Sequence, residues 1–423
     1  MNQLLSRSRR MVLAGSLAVL FVEDGAIASG FHLPEGSAAG IGLANALVAN
    51  PEDPGAFAYN PAAMGFHDGS SLSVGAYAIN PSFNVETASG SHDSYGADWV
   101  GAPMLQAALR VDDQWRIGLG FNIPFGLETR WKLGTYPDLS TPIPAGPSRV
   151  LPPGLDHPAE TKLEVLALFP TAAYRVSDNL SIAAGIDYYN GRTALLNTHF
   201  SELEGDGDAW GWNLGFLYTW EAWSFGATYH SAATIDIDGT VTSPISSEKA
   251  EVDLNLPWRL QVGVRYAFSP ALALEVDWSR SGWSEFDELR IVSKVDGSIL
   301  GLNEQKWKDT NAIRMGLSYA VLPTTLLRFG YTYDETGQGD DYFTGRVPDS
   351  DRHLFSVGIG HDLGGGWAID AGYMYISFKD RNYRGDKAYR PLPRPADING
   401  TSAIDGDYQS SAHLLGLDVR KSF

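Results

Sequence analysis

Nine histidines are scattered along the 423-residue chain, and none falls in a His-Glu-x-x-His pair that would put two imidazoles on one metal. No Gly-x-Ser-x-Gly turn presents a nucleophile, and no glycine loop cradles a phosphate. His230 beside Ser231, and His413 near Ser411, bring a base and a hydroxyl together only in sequence. Nucleophilic catalysis needs them in contact in space. Asp236-Ile-Asp238-Gly239 begins like a calcium loop but lacks the later ligands; it reads as a strand end. The acids Glu202, Glu204, Asp206 and Asp208 read as a solvated loop that could hold divalent cations beside lipopolysaccharide. No enzyme, cofactor or resident metal is expected. What remains is cationic: Arg259, Arg265 and Arg328, each opposite an apolar set, with acids available as partners.

Those cations ride on alternating stretches. In Trp115 to Asn122, Trp115, Ile117, Leu119 and Phe121 share one face, and Arg116, Gly118, Gly120 and Asn122 share the other. Trp258 to Tyr266 repeats the pattern, with Arg259, Gln261 and Arg265 on the polar side. So do Leu272 to Ser279, Leu327 to Asp334 and Trp212 to Trp220. Period two means strand, and each run has roughly the 9–11 residues a tilted strand needs to cross a bilayer. Such segments number about fourteen: near 70–85, 102–111, 115–130, 161–176, 180–198, 209–219, 222–239, 251–267, 271–293, 305–320, 324–335, 351–361, 366–380 and 408–423.

A soluble sandwich and an outer-membrane barrel share this alternation, but three features favour the barrel. Aromatics gather at segment ends, where interfacial girdles belong. Short turns such as Val111-Asp-Asp-Gln and Phe268-Ser-Pro alternate with long polar connections. Arg7, Arg9 and Arg10, the apolar run Met11 to Val22 and the small-x-small site Ala26-Ile27-Ala28 read as a signal peptide over 1–28. The net charge of -19 argues against nucleic acid, and the absence of cysteine excludes disulfides and thiolate metal sites. The fold expected is all-β and transmembrane: a fourteen-stranded antiparallel outer-membrane barrel, monomeric, over residues 70–423. Its last strand must close on its first, because an open edge in lipid leaves backbone groups unpaired. That explains why alternation runs to Phe423, which sits outward with Val419, Leu417 and Leu415 as a signal for the outer-membrane assembly machinery. A barrel this wide is not filled by its own side chains. The Gly- and Ala-rich segment 29–69 is therefore expected inside the lumen as a hatch.

At Ser29-Gly30-Phe31, Glu35, Ser37, Gly40-x-Gly42-x-Ala44 and Asn60-Pro61-Ala62-Ala63-Met64 the chain resembles the hatch of the FadL outer-membrane long-chain fatty-acid transporters. Later blocks resemble that family's strands in order: "GIDYYNGR" at 185–192, "GWNLGFLY" at 211–218, "LNLPW" at 254–258 and "WKDTNAIRMGLSY" at 307–319. The resemblance implies capture of a hydrophobic ligand from outside, an apolar pocket, and lateral exit at an inward kink in the third strand. It makes Phe31, Asn60, Pro61 and Ala62 hatch or gate residues. Asn60-Pro61-Ala62 would meet the kink, which here reads Pro124, Phe125 and Gly126; Pro cannot donate to a ladder and Gly weakens a strand. Arg192 and Lys308 match the positions that bind the fatty-acid carboxylate, and Arg314 is a further cation. The connections 199–208 and 240–250 are short where that family's are long, while 130–160 is long and Pro-rich and carries Leu139, Ile143, Val150, Leu151 and Leu155 as an alternative apolar entry.

The function expected is passive transport of hydrophobic molecules, long-chain fatty acids first, through the outer membrane. Aromatic hydrocarbon uptake and a general diffusion porin are the alternatives.

Overall fold

The computed structural model describes residues 30–96 and 98–423; the signal peptide expected over 1–28 lies outside them. Among the described residues, fourteen antiparallel strands form one closed sheet. They are β1 (Ser71–Thr87), β2 (Val100–Arg110), β3 (Trp115–Arg130), β4 (Pro158–Ser177), β5 (Leu180–Thr198), β6 (Glu202–Trp220), β7 (Trp223–His230 and Ala233–Ser243), β8 (Ser246–Leu256 and Arg259–Ser269), β9 (Leu272–Ser281 and Glu288–Ser293), β10 (Ile299–Glu304 and Thr310–Leu322), β11 (Thr325–Asp334), β12 (Arg352–Gly364), β13 (Trp367–Phe378) and β14 (Gly406–Ser422). β14 pairs with β1 from Ser71↔Ser422 to Glu86↔Asp407, which closes the barrel. Phe423 then donates its N–H to Ser70 O at 2.9 Å, and its ring is exposed below Leu415, Leu417 and Val419. The outward face carries an exposed apolar band that includes Ile117, Ile182, Leu214, Val264, Val357 and Leu417, as a lipid-facing wall requires.

One expected loop and one expected strand end prove to be strand interior. Glu202, Glu204, Asp206 and Asp208 lie on β6, and Asp236 and Asp238 lie inside β7 rather than at its end. Leu203, Ile235 and Ile237 keep the apolar alternation going, buried inward, while the acids face out. Asp208 stands opposite Asp236, and Asp206 opposite Asp238. Long polar runs hid this extension, because above the lipid the outward side needs no hydrophobe. Four strands, β7 to β10, also break at Ser231-Ala232, Pro257-Trp258, Gly282 to Asp287 and Gln305 to Asp309. These breaks turn Trp283 and Trp307 into the lumen, where both are buried.

The N-terminal segment fills the barrel. It holds a short helix α1 (Ala38–Gly42), capped by the Ser37 side chain on Gly40 N, and two 3-10 turns, Pro54–Ala58 and Pro61–Phe66. Its small residues let its backbone lie against the wall. A Cβ at Gly226 would overlap the Val48 carbonyl, and one at Gly330 would overlap the backbone at Leu43. So few turns leave many amides without partners, and wall side chains supply them. Asp418 accepts from Ala38 N at 2.6 Å, Asp277 from Leu47 N and Val48 N at 3.1 and 3.2 Å, and Glu275 from Ala49 N at 2.6 Å. At the short-turn rim, Arg328 bridges Asp53 of the plug and Asp370 of β13, each at 2.7 Å. Burial alone would raise the Asp53 carboxyl, but Arg328 and Arg420 outweigh it and hold it at about 2.

Removing one member of a buried ion network costs about 3–5 kcal/mol. Arg328→Met should therefore release the plug from the wall, read as rapid proteolysis of residues near 50–60 in a barrel that still migrates as folded. In the wild type the depressed Asp53 pKa stabilises docking fully above about pH 4. That contribution should be lost as pH falls toward about 2.

Candidate ligand site at the third-strand kink

β3 begins as an ordinary wall strand. Its ladder with β2 runs from Arg110↔Arg116 to Leu105↔Phe121 and stops there. Its register with β4 shifts between Asn122 and Phe125. Ile123, Pro124 and Phe125 are then buried in succession, which a strand with one face in lipid cannot do. The strand has bent inward at Pro124, which has no N–H to lose. The β2 residues Val100 to Met104 consequently have no partner on β3.

The plug completes the bent segment. Leu33 N donates to Pro124 O at 2.8 Å, Gly126 N donates to Phe31 O at 3.0 Å, and His32 bridges Phe125 as a strand partner. Phe31 thereby enters an aromatic box of Trp283 (ring centroids 4.8 Å apart), Phe286 (5.5 Å), Phe125 (6.0 Å) and Trp307 (6.1 Å). Neither indole N–H in this box has a hydrogen-bond partner among the described residues. A Cβ on Gly30, whose φ is +60°, would overlap the Trp307 ring, so only glycine leads into this turn without strain.

Two cavities flank the paired plug segment, and His32, Leu33 and Pro34 line both. One, of about 160 Å³, is mainly apolar: Tyr77, Ile79, Ile123, Leu163, Leu354 and Ile376 are in its wall, with Lys162 and Arg352 at its edge, and it reaches Val100, Gly101 and Ala102, the stretch of β2 without a partner on β3. The other, of about 110 Å³, is mixed and the more polar of the two, with Asn122, Asn213, His230, Arg259, Gln261 and Arg314 in its wall beside Phe57, Met64 and Leu260. There His230 Nδ1 lies 2.7 Å from Asp187, and Asn213 donates to Asp187 at 2.6 Å. Burial, then Arg259 and Arg314, hold the His32 imidazole well below its ordinary pKa. The ring is neutral, and its Nε2 accepts from Arg259 at 2.8 Å. A wider vestibule of about 970 Å³ opens at the short-turn rim and shares no lining residue with either cavity.

The predicted residues distribute unevenly around this site. Phe31 meets Phe125 and Gly126 at the kink. Asn60-Pro61-Ala62 docks elsewhere: Asn60 donates to Val48 O at 2.7 Å and to Phe216 O on β6 at 2.8 Å, and only Pro61 reaches the polar cavity. Arg314 lines that cavity. Arg192 sits on the outer surface, two-thirds exposed, 3.6 Å from Glu164 and beside Glu204 and Asp206. Lys308 is exposed in the connection leading to Thr310. Neither lines a cavity at the kink. Leu139 and Ile143 are buried and Val150 is exposed. Leu139 packs with Trp131, Tyr136, Phe343, Tyr383 and Tyr408 in a cap over the long-loop rim. Leu155 lines a small outer cavity with Leu196, Val241 and Leu300. Sequence reasoning missed His32, Trp283 and Trp307; Gly282 was the local signal that the strand breaks at Trp283.

The profile of a family described as "Outer membrane protein transport protein (OMPP1/FadL/TodX)" matches residues 19–423. A long-chain fatty acid transport protein of Salmonella typhi is 25% identical, covering 85% of this chain and 90% of its own. Among solved structures, a Pseudomonas aeruginosa FadL homologue superposes with a TM-score of 0.76 at 18% identity, covering 93% of this chain and all of its own. The Pseudomonas putida toluene transporter TodX does so with a TM-score of 0.68 at 15% identity, covering 93% and 100%. The closed fourteen-stranded wall, the plug and the match over nearly the whole chain agree: this chain belongs to the OmpP1/FadL/TodX family of outer-membrane transporters of hydrophobic compounds.

Proposed function

We propose that this chain carries long-chain fatty acids inward, through the apolar cavity and out sideways between β2 and β3. One observation carries the reading: the bent segment of β3 takes its backbone partners from the plug instead of from β2. Withdrawal of Phe31 to Leu33 would open the apolar cavity toward the unpaired part of β2. The vestibule at the short-turn rim is no continuation of that cavity, so a straight passage down the lumen is blocked by the plug. The Salmonella typhi relative supplies the substrate class. Ligand binding then shifts the plug segment between paired and withdrawn positions, with no energy input.

Size favours a second reading. A cavity of about 150 Å³ lined by apolar side chains binds benzene, and the apolar cavity here is of that order. A monoaromatic hydrocarbon, as carried by the Pseudomonas putida relative, fits the closed state without rearrangement. A long acyl chain needs the two cavities joined.

The absence of cysteine makes the gate directly testable. Directly opposite residues on antiparallel strands have Cα atoms about 4.5–5.5 Å apart, within disulfide range. His32→Cys with Phe125→Cys should therefore form a disulfide that ties the plug to the kink. In a bacterium lacking its own fatty-acid transporter, uptake of labelled oleate by the oxidised variant should fall by about tenfold or more. Reductant should restore it. Undiminished uptake in the oxidised form would sink lateral exit by plug withdrawal. Labelled toluene in the same cells separates the substrate readings: oleate uptake supports the first, toluene uptake alone the second.

Arg192→Ala and Lys308→Ala provide a further check. Both side chains lie in water, where a surface pair contributes about 0–1 kcal/mol. Oleate affinity of the purified protein should stay within about fivefold of wild type in both variants. A larger loss would return them to the ligand site.

A further inference from the structure

The cap over the long-loop rim contains a histidine whose two ring nitrogens have fixed and different roles. Between β3 and β4 the chain runs out from Trp131 and returns at Pro158, and Trp131 N donates to Ala159 O at 2.9 Å across the base of that loop. Tyr136 carries the loop over the rim. Its ring is fully buried, its hydroxyl lies 3.3 Å from Tyr408 OH on β14, and a Cβ on Gly345 would overlap that hydroxyl. The Tyr136 backbone N–H donates to His157 Nε2 at 3.3 Å, and His157 Nδ1 lies 2.8 Å from Pro158 O. A carbonyl can only accept, so Nδ1 carries the proton and Nε2 keeps its lone pair. His157 is itself fully buried. Its two contacts fit the neutral ring alone. An imidazolium has a donor on each nitrogen, and the one at Nε2 would face the Tyr136 N–H.

The elements packed around the ring also oppose a charge there. Just past β5, His199 meets His157 edge to face with ring centroids 4.8 Å apart, and its Nε2 donates to Trp131 O at 2.9 Å. From the connection after β11, the buried Arg346 donates to Asn197 O at 2.8 Å and to Thr161 Oγ1 at 3.1 Å. The adjoining Asp156 carboxylate is engaged by Arg394, at 2.5 and 2.7 Å, and by Tyr389 OH. We propose that His157 is an acid-operated latch: neutral, it pins the loop 131–157 over the long-loop mouth of the barrel, and protonated it lets that loop swing out and uncover the lumen. The latch goes beyond the transport reading and holds whichever hydrophobe the barrel carries. Burial pushes the closed-state imidazole down to about 4, against the Pro158 bond and with help from His199 and Arg346. In the released loop the ring meets water and takes its ordinary pKa of about 6.5. The closed value is the lower one, so the closed cap has its full stability above about pH 6.5 and loses it as pH falls toward about 4. At pH 5 the ratio of closed to open should be about 30-fold lower than at pH 7.5.

A chain without cysteine lets one introduced thiol report on the loop. Leu139→Cys places it inside the cap, at a position 2% exposed, and Val150→Cys places it on the same loop at a position 64% exposed. The rate at which a disulfide reagent labels the first, divided by the rate for the second, cancels the chemistry of the thiol and follows opening alone. In the purified full barrel that quotient should rise about 30-fold from pH 7.5 to pH 5. His157→Gln offers an amide that can accept from Tyr136 N and donate to Pro158 O, so in that background the quotient should stay within about twofold. His199→Gln should keep most of the rise. His157→Arg fixes the charge and should label at pH 7.5 about as fast as wild type does at pH 5 or faster; should that variant not fold, the Gln variant decides alone. A flat quotient in the wild type would overturn the latch, and so would an equal rise in His157→Gln.

Discussion

A backbone N–H or C=O that faces hydrocarbon must find its partner inside the protein, and this rule governs both the wall and its bend at Pro124. It forces the sheet to close, so β14 lies against β1 over nearly their whole lengths and Phe423 still hydrogen-bonds Ser70. The same rule makes the bend at Pro124 informative. A strand that leaves its neighbour in a membrane must be taken up by something else. Here it is taken up by Phe31 to Leu33. The wall at that point is complete only while the plug is in place.

The plug itself has too little regular structure to satisfy its own amides. Wall carboxylates on β9 and β14 do so instead, and Arg328 adds a buried ionic clamp at the short-turn rim. The polar face of each strand therefore has a positive role. It is a set of fitted partners for one extended segment, interrupted by glycines such as Gly226 and Gly330 where backbone must meet backbone.

The wall was legible in the sequence because lipid on one side imposes a strict period of two. Trp115 to Phe121 and Leu415 to Phe423 show it without ambiguity. The lumen was less legible. Inside, a polar residue can serve the plug, a neighbouring strand or a ligand, and the period is the same in each case; Arg259 and Arg265 share one strand face, yet Arg265 is paired with Glu52 and Arg259 with no acid. The acids from Glu202 to Asp208 read as loop because above the bilayer the outward face needs no hydrophobe. Trp283 and Trp307 are hidden for the opposite reason: tryptophan near a strand end suggests the interface, and only the breaks at Gly282 to Asp287 and Gln305 to Asp309 turn these two inward. The resemblance at Asn60-Pro61-Ala62 located the plug but misplaced the contact, since Asn60 binds β6 and the first residues of the plug bind β3.

The distribution of these contacts sets which part of the plug can move. Two backbone hydrogen bonds join Phe31 to Leu33 to the kink, each contributing about 0.5–1.5 kcal/mol net. The clamp at Arg328 is costlier to break, at about 3–5 kcal/mol, and the carboxylate bonds to Ala38, Leu47, Val48 and Ala49 lie between the two ends. A ligand with a few kcal/mol of differential affinity can therefore displace the first residues without unseating the remainder. Phe31 would oppose that displacement by its packing among four aromatic rings, and on the proposed reading an apolar ligand entering the same box would replace the contacts it gives up. On the proposed lateral exit, the exchange of one apolar group for another at the box would cost little, and the contacts of the barrel and of the anchored part of the plug would be kept.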